Sequence, residues 1–266
     1  MSISSEAVKK TAKTVLKEKW FSSAVYCLCL VVIFFLFQYI GSALSTIIGK
    51  IGYFIFNVLG LIFLFSPLVL GALKHFWRML FGVEDAFVSL FYYFSSKKEY
   101  IKALKFILNL SFRFLVCGFV FYTPALIANF FSGTAFYSRF NIHMPMWVSN
   151  LWLVSSVLEF IAFVAIVILS LKYYIAPVLF VADEDMDPSE AVHMSAIISK
   201  GSNSDFIYLL FSLIGWILLC LFIIPMPAIL PYIFCCYLIH CRFSVAKYNK
   251  YASDLKMQNE AFEERL

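Results

Sequence analysis

The chain has 266 residues, 62% of them hydrophobic and only 14% charged, against about 25% charged in ordinary soluble domains. Apolar residues run for whole helix lengths without a polar face, which excludes an ordinary soluble globular protein. The 31 Phe, 15 Tyr, 10 Gly and odd seven Cys exclude disorder, collagen and a secreted disulfide scaffold, and leave a polytopic membrane protein with net charge +5.

Crossing an apolar slab about 30 Å thick takes about 20 helical residues, so uncharged intervals mark the candidate spans. The N-terminal stretch comes before any of them. Its Val8, Ala12, Val15, Leu16 and Trp20 fall at helical spacing, with Lys9, Lys10, Lys13, Lys17 and Lys19 around the remainder. This reads equally as an interfacial helix on anionic lipid and as a solvated leader. Residues 20–49 carry no charge, and 21–40 are predicted as the first span. After Lys50, residues 51–73 form the second, ending at Lys74, His75 and Arg78, cations that suit a membrane boundary. Phe87, Leu90, Phe91 and Phe94 then recur at i, i+3, i+4 and i+7 after Glu84 and Asp85. That period predicts an interfacial amphipathic helix, with a shallow re-entrant segment as its rival.

The third span is predicted at 106–131 and the fourth at 147–171. Arg113 lies in the third and Glu159 near the middle of the fourth. An ion inside a span is a candidate functional group, so Arg113 and Glu159 are expected to face the bundle interior and interact. A snorkelling arginine is the plainer reading of Arg113. Residues 206–241 are again uncharged and, as one helix, would run about 54 Å. Pro225-Met226-Pro227 is therefore expected to divide them into a fifth span at 206–224 and a short sixth at 228–241.

Between the fourth and fifth spans, Asp183, Asp185 and Asp187 alternate like the first ligands of a calcium loop. The sixth and twelfth positions of such a loop would be Pro188 and Met194, which excludes it. Asp187 is instead a candidate N-cap, with Pro188 at the first helical position and Glu190 at the capping-box position. The helix should end near Lys200, with Gly201 in the left-handed C-terminal position. Residues 244–266 form a charged tail, and 1–19 a basic leader, of one membrane domain spanning 1–266.

Of the 21 Lys and Arg, all but Lys50, Arg113 and Arg139 fall on the side that carries both termini, so that side is expected to be cytoplasmic. The N-terminal apolar run lacks a small-residue cleavage pattern and reads as an uncleaved span. No phosphate loop, H-E-x-x-H or G-x-S-x-G occurs, and the four His are widely spaced. No cofactor, metal or nucleic-acid partner is expected, and an enzyme is poorly supported.

Tyr173, Pro177 and Ala182-Asp183 are followed by Glu190-Ala191, Ser195 and Lys200-Gly201, then by Ser212, Ile214-Gly215-Trp216 and Pro231-Tyr232. In the first half Pro67, Gly71 and the aromatic stretch 87–94 continue the pattern. On these residues most of the chain resembles a bacterial membrane family known only as domain of unknown function 975. The resemblance implies an all-α polytopic fold in a bacterial cytoplasmic membrane, and no activity. The expected role is a transport-related, partner-binding or lipid-binding membrane component, with the bilayer, a membrane protein or a second copy as partner. A carrier would need a polar pathway from Glu159, Arg113, Asn57, Asn109 and Asn129; a structural scaffold or envelope accessory subunit would need none. An intramembrane enzyme is the third class.

Overall fold

The computed structural model describes residues 4–83, 87–132 and 148–263, and no strand occurs among them. The protein is an all-α polytopic membrane protein. Five helical segments are long and apolar enough to cross a membrane, and six if one bent helix pair counts as a crossing. Contacts divide the chain into two compact units, one from Met1–Ile107 with Tyr174–Leu266 and one from Leu108–Tyr173.

In the larger unit, α1 (Ser5–Leu16) buries Val8, Ala12 and Leu16 completely. The helices it packs on are α9 (Met226–Glu263) and α8 (Asn203–Leu219). Lys9 donates from Nζ to the Ser212 carbonyl at 2.7 Å. The apolar stripe of the leader is thus spent on the protein itself.

Helix α2 (Trp20–Gly60) folds back on itself at Gly49, whose φ of 69° is the left-handed region that glycine enters without strain. Its two arms form an antiparallel hairpin. Phe37 stacks on Phe56 at 4.6 Å, and Tyr53 donates to Gln38 Oε1 at 3.3 Å. The second arm continues through a π-turn (Leu61–Phe65) into α3 (Ser66–Leu80), so it reaches past the expected end at Leu73. Pro67 is the cause. It cannot donate to the Phe63 carbonyl four residues back, and the Tyr100 hydroxyl takes that carbonyl at 3.0 Å instead. Helix α3 stops at a paired C-terminal motif in which Val83 bonds the Arg78 carbonyl and Gly82, at φ 74°, bonds that of Met79.

The aromatic stretch does not form the expected α-helix. Phe87–Phe94 is a 3₁₀ segment packed along α3, with Leu90 and Tyr93 buried. Its backbone approaches so closely that a Cβ at Gly71 would lie 2.3 Å from the Leu90 carbonyl oxygen. Tertiary fit overrides the helical period here, while Glu84 and Asp85 lie outside the described residues.

Helix α4 (Lys97–Ser132) begins nine residues before the expected span. Ser96 Oγ accepts from the Lys98 backbone at 3.2 Å, with Glu99 in the first turn, a capping-box pattern legible in the sequence. Helix α5 (Val148–Tyr173) breaks at Tyr174 and Ile175 before α6 (Ala176–Ala182), where Pro177 starts a new turn. Then comes α7 (Pro188–Ile198), capped as expected, for Asp187 Oδ2 accepts from the Ser189 backbone at 3.0 Å. Gly201 does not take the left-handed position. It closes a 3₁₀ turn (Ser199–Gly201), and its carbonyl is capped by Lys247 Nζ at 2.8 Å.

Helix α8 forms an 82° bend with the α7 segment and ends at Leu219, short of the expected Ile224. Past Leu219 the backbone tightens to i→i+3 bonds, Leu221 to the Leu218 carbonyl and Phe222 to that of Leu219, ahead of Pro225, which cannot donate to the Leu221 carbonyl. Helix α9 runs far beyond the expected Cys241, since the polar tail is rich in helix formers and Pro231 sits near its start. The core joins α2, α3 and α9 through Tyr26 stacked on His75 at 4.1 Å and Phe76 on Phe234 at 5.4 Å. Trp20 stacks on Tyr232 and donates to the Ala228 carbonyl at 3.1 Å.

In the smaller unit, α4 and α5 lie antiparallel. Ser155 donates across to the Ala125 carbonyl at 3.3 Å, and Ala125 and Ala162 are fully buried, small residues that let the two backbones approach.

Candidate functional site: a cationic notch beside the acidic turn

The predicted intramembrane pair is not formed. Arg113 donates from Nε to Asn109 Oδ1 and from Nη1 to the Tyr173 hydroxyl, both at 3.0 Å. Glu159 Oε1 accepts from Asn129 Nδ2 at 2.7 Å. The antiparallel register explains the separation. Arg113 lies level with Tyr173, and Glu159 is 14 residues from Tyr173 along α5, about 21 Å away. Asn57 serves its own helix, bonding the Tyr53 carbonyl at 2.9 Å. Within the smaller unit the polar residues considered for a pathway thus form two separate pairs, Arg113 with Asn109 and Glu159 with Asn129.

Asp187 and Glu190 stand where expected, both exposed in the first turn of α7. Bonds from the Ser189 hydroxyl and backbone hold the Asp187 carboxyl below its usual range. Asp187 caps the helix, with the Lys105 charge nearby, and Glu190 stands in its first turn. Arg139 and His143 lie outside the described residues.

Two further polar groupings are built by distant parts of the chain. The first is buried. Tyr174, stacked on Phe206 at 4.0 Å, meets Ser202 Oγ at 2.8 Å and His240 Nε2 at 3.2 Å, and Tyr237 donates to the Tyr174 carbonyl. That carbonyl is available because Val178 bonds Ile175 in the tight turn before α6. This network fixes Tyr174 and the start of α6 against α9.

The second opens outward, at the end of the bundle that carries Trp20. Helix α3 delivers Lys74 and Arg78 one turn apart, and the turn after α6 delivers Glu184. Lys74 Nζ lies 2.6 Å from Glu184 Oε1, and Arg78 Nη2 3.3 Å from the same oxygen. Lys102, near the start of α4, donates to the Glu184 backbone carbonyl. Lys74 is sunk into the protein, its side chain 4% exposed and its ammonium 3.3 Å from the centroid of the Tyr92 ring, whereas Glu184 is 57% exposed. The Tyr92 face offsets part of the cost of burying the ammonium, and the carboxylate supplies the rest. The Lys74 hydrogen bond, with Lys74 and Arg78 close by, holds the Glu184 carboxyl below its usual range.

Beside this cluster is a notch of about 260 Å³ with Trp77, Phe81 and Val181 as apolar wall and Lys74, Arg78 and Glu184 as polar floor. Arg242 adds a further cation, its guanidinium 4.7 Å over the Phe81 ring. A larger groove of about 590 Å³, between the first arm of α2 and Ile223 and Pro227, is almost wholly apolar. Lys74 and Glu184 are 110 residues apart, so no local motif announced the notch; the only signal was the run of cations at the second span's end.

No curated protein and no solved structure matches the chain. A family model described as "Protein of unknown function (DUF975)" matches residues 1–245, which take in the notch, the acidic turn and every membrane-crossing segment up to the charged tail. The chain therefore belongs to the DUF975 family.

Proposed function

We propose that this multi-pass membrane protein acts without catalysis as a lipid-binding component, holding an anionic headgroup in the notch between α3 and the acidic turn. The observation that carries the reading is Lys74, a nearly buried ammonium whose carboxylate partner is the most exposed member of the cluster. Such a site accepts an anion from one side only. The bundle end that carries the notch also carries α1 and Trp20, and the distribution of basic residues supports a cytoplasmic position for that side. There a headgroup is met by Lys74 and Arg78 on the notch floor, with Lys102 close by at the Glu184 carbonyl, while Trp77 and Phe81 suit the glycerol region, as aromatic side chains do at a membrane interface.

Native mass spectrometry of the full chain released from nanodiscs of mixed zwitterionic and anionic lipid tests this. The expected result is anionic lipid retained through delipidation by the wild type and lost in both Lys102→Gln and Lys74→Gln. Equal retention of the two lipid classes by the wild type overturns the reading. A stable co-purified membrane protein in place of lipid would support the scaffold instead.

A further inference from the structure

We infer that Glu184 is an internal occupant of the notch, displaced when a terminal phosphate monoester binds. The inference rests on the lipid-binding reading and adds to it the headgroup chemistry and a device that regulates access. Three cations on two elements converge on one residue. Lys74 and Arg78 both hold Glu184 Oε1, whereas Lys102 takes only the backbone carbonyl of that residue. A carboxylate offers two oxygens in a plane and one negative charge. A phosphate monoester carries up to two charges and three terminal oxygens, one for each of the three cations.

The geometry also lets Glu184 leave. It stands just past the end of α6, where Asp183 has already turned to extended backbone, and its neighbours close a local turn through Asp185 donating to Asp183 Oδ1 at 2.9 Å. Swinging the Glu184 side chain outward breaks no helix. Lys74 has no such freedom, being held between the Tyr92 ring and the wall of α3, so the cationic floor stays in place when the carboxylate departs. An emptied floor without an anion would leave a buried ammonium unpaired, which is costly. The site is therefore either closed by Glu184 or filled by its ligand.

The test compares wild type, Glu184→Gln and Glu184→Gln with Lys102→Gln, as full chains in neutral detergent. Each is titrated with short-chain phosphatidic acid, with phosphatidylglycerol as the diester, and with inorganic phosphate. Removing the competing carboxylate should tighten phosphatidic acid binding roughly two- to fivefold, the range of a partly exposed ion pair, with a smaller gain for the diester. The added Lys102→Gln should reverse most of the gain. Gln keeps the shape of Glu184 and leaves an amide oxygen for Lys74 to bond, and a thermal unfolding curve of each variant before titration checks that it is folded. If wild type binds phosphatidic acid and Glu184→Gln binds it no more tightly, the displacement is wrong while the lipid reading stands. If neither binds any anionic lipid, both fall. Equal tightening for the diester overturns the monoester preference, and inorganic phosphate binding as tightly as phosphatidic acid overturns the lipid as its source.

Discussion

At the scale of single residues, Arg113 and Glu159 each bond a polar side chain on the facing helix, Tyr173 and Asn129 respectively. Arg113 and Glu159 belong to separate pairs, so the loss from removing both should equal the separate losses to within about 0.5 kcal/mol. Asn129 and Glu159 should instead couple by about 0.6 kcal/mol. Reversible unfolding of the four corner variants of each cycle in detergent measures both. The pH dependence of the notch has a definite sign. The folded Glu184 carboxyl lies below its ordinary value of about 4.3, so its contribution to stability is complete above that value and is lost as pH falls through the depressed one. Thermal unfolding of wild type and Glu184→Gln between pH 7 and 3 should show a difference that is constant at first and then shrinks. Asp187 and its cap were legible in the sequence because every partner lies within three residues. Lys74 and Glu184 were not, because only the packing of α3 beside α6 makes them neighbours.

At the scale of elements, two glycines are constrained for different reasons, and substitution separates them. Gly49→Ala meets no atom but must hold φ 69°, a strain of about 1–2 kcal/mol. Gly71→Ala places a methyl against a backbone oxygen, and the 3₁₀ segment has to move away at a cost of about 1–3 kcal/mol. The second change should also loosen Tyr92 over Lys74 and so weaken anion binding, which the first should leave untouched; unfolding and lipid titration together distinguish them. Asp187→Ala should fray the start of α7, seen as faster hydrogen exchange at Ser189 and Glu190 with the rest of the helix protected. Periodicity found the spans because an apolar slab imposes length. It missed the 3₁₀ form of 87–94, since i+3 and i+4 repeats do not separate an α-helix from a tighter turn that fits its neighbour better.

At the scale of the whole molecule, orientation rests on the distribution of basic residues, and labelling tests it. In a background lacking the native seven Cys, an impermeant thiol reagent on intact cells should modify Ser138→Cys and leave Ser4→Cys untouched until the cells are opened. The reverse pattern would place the notch on the outer face. Overall architecture was readable from composition because bilayer crossing leaves few alternatives. The count of spans was less so: α8 is only 17 residues long and joins α7 at a sharp bend at Ser202, where no proline marks the break in the sequence.

The turn at Gly49 bears on how the chain enters a bilayer during synthesis. Between Trp20 and Leu73 the sequence has a single charged residue, Lys50, next to the glycine that reverses the chain. The two arms touch through residues close in sequence, so they pair with little loop-closure entropy to overcome. The hairpin is thus suited to insert as one unit, with a single ammonium to carry across. Lengthening the turn with a few charged residues would leave the mature contacts intact and slow the arrival of the first two arms in the membrane.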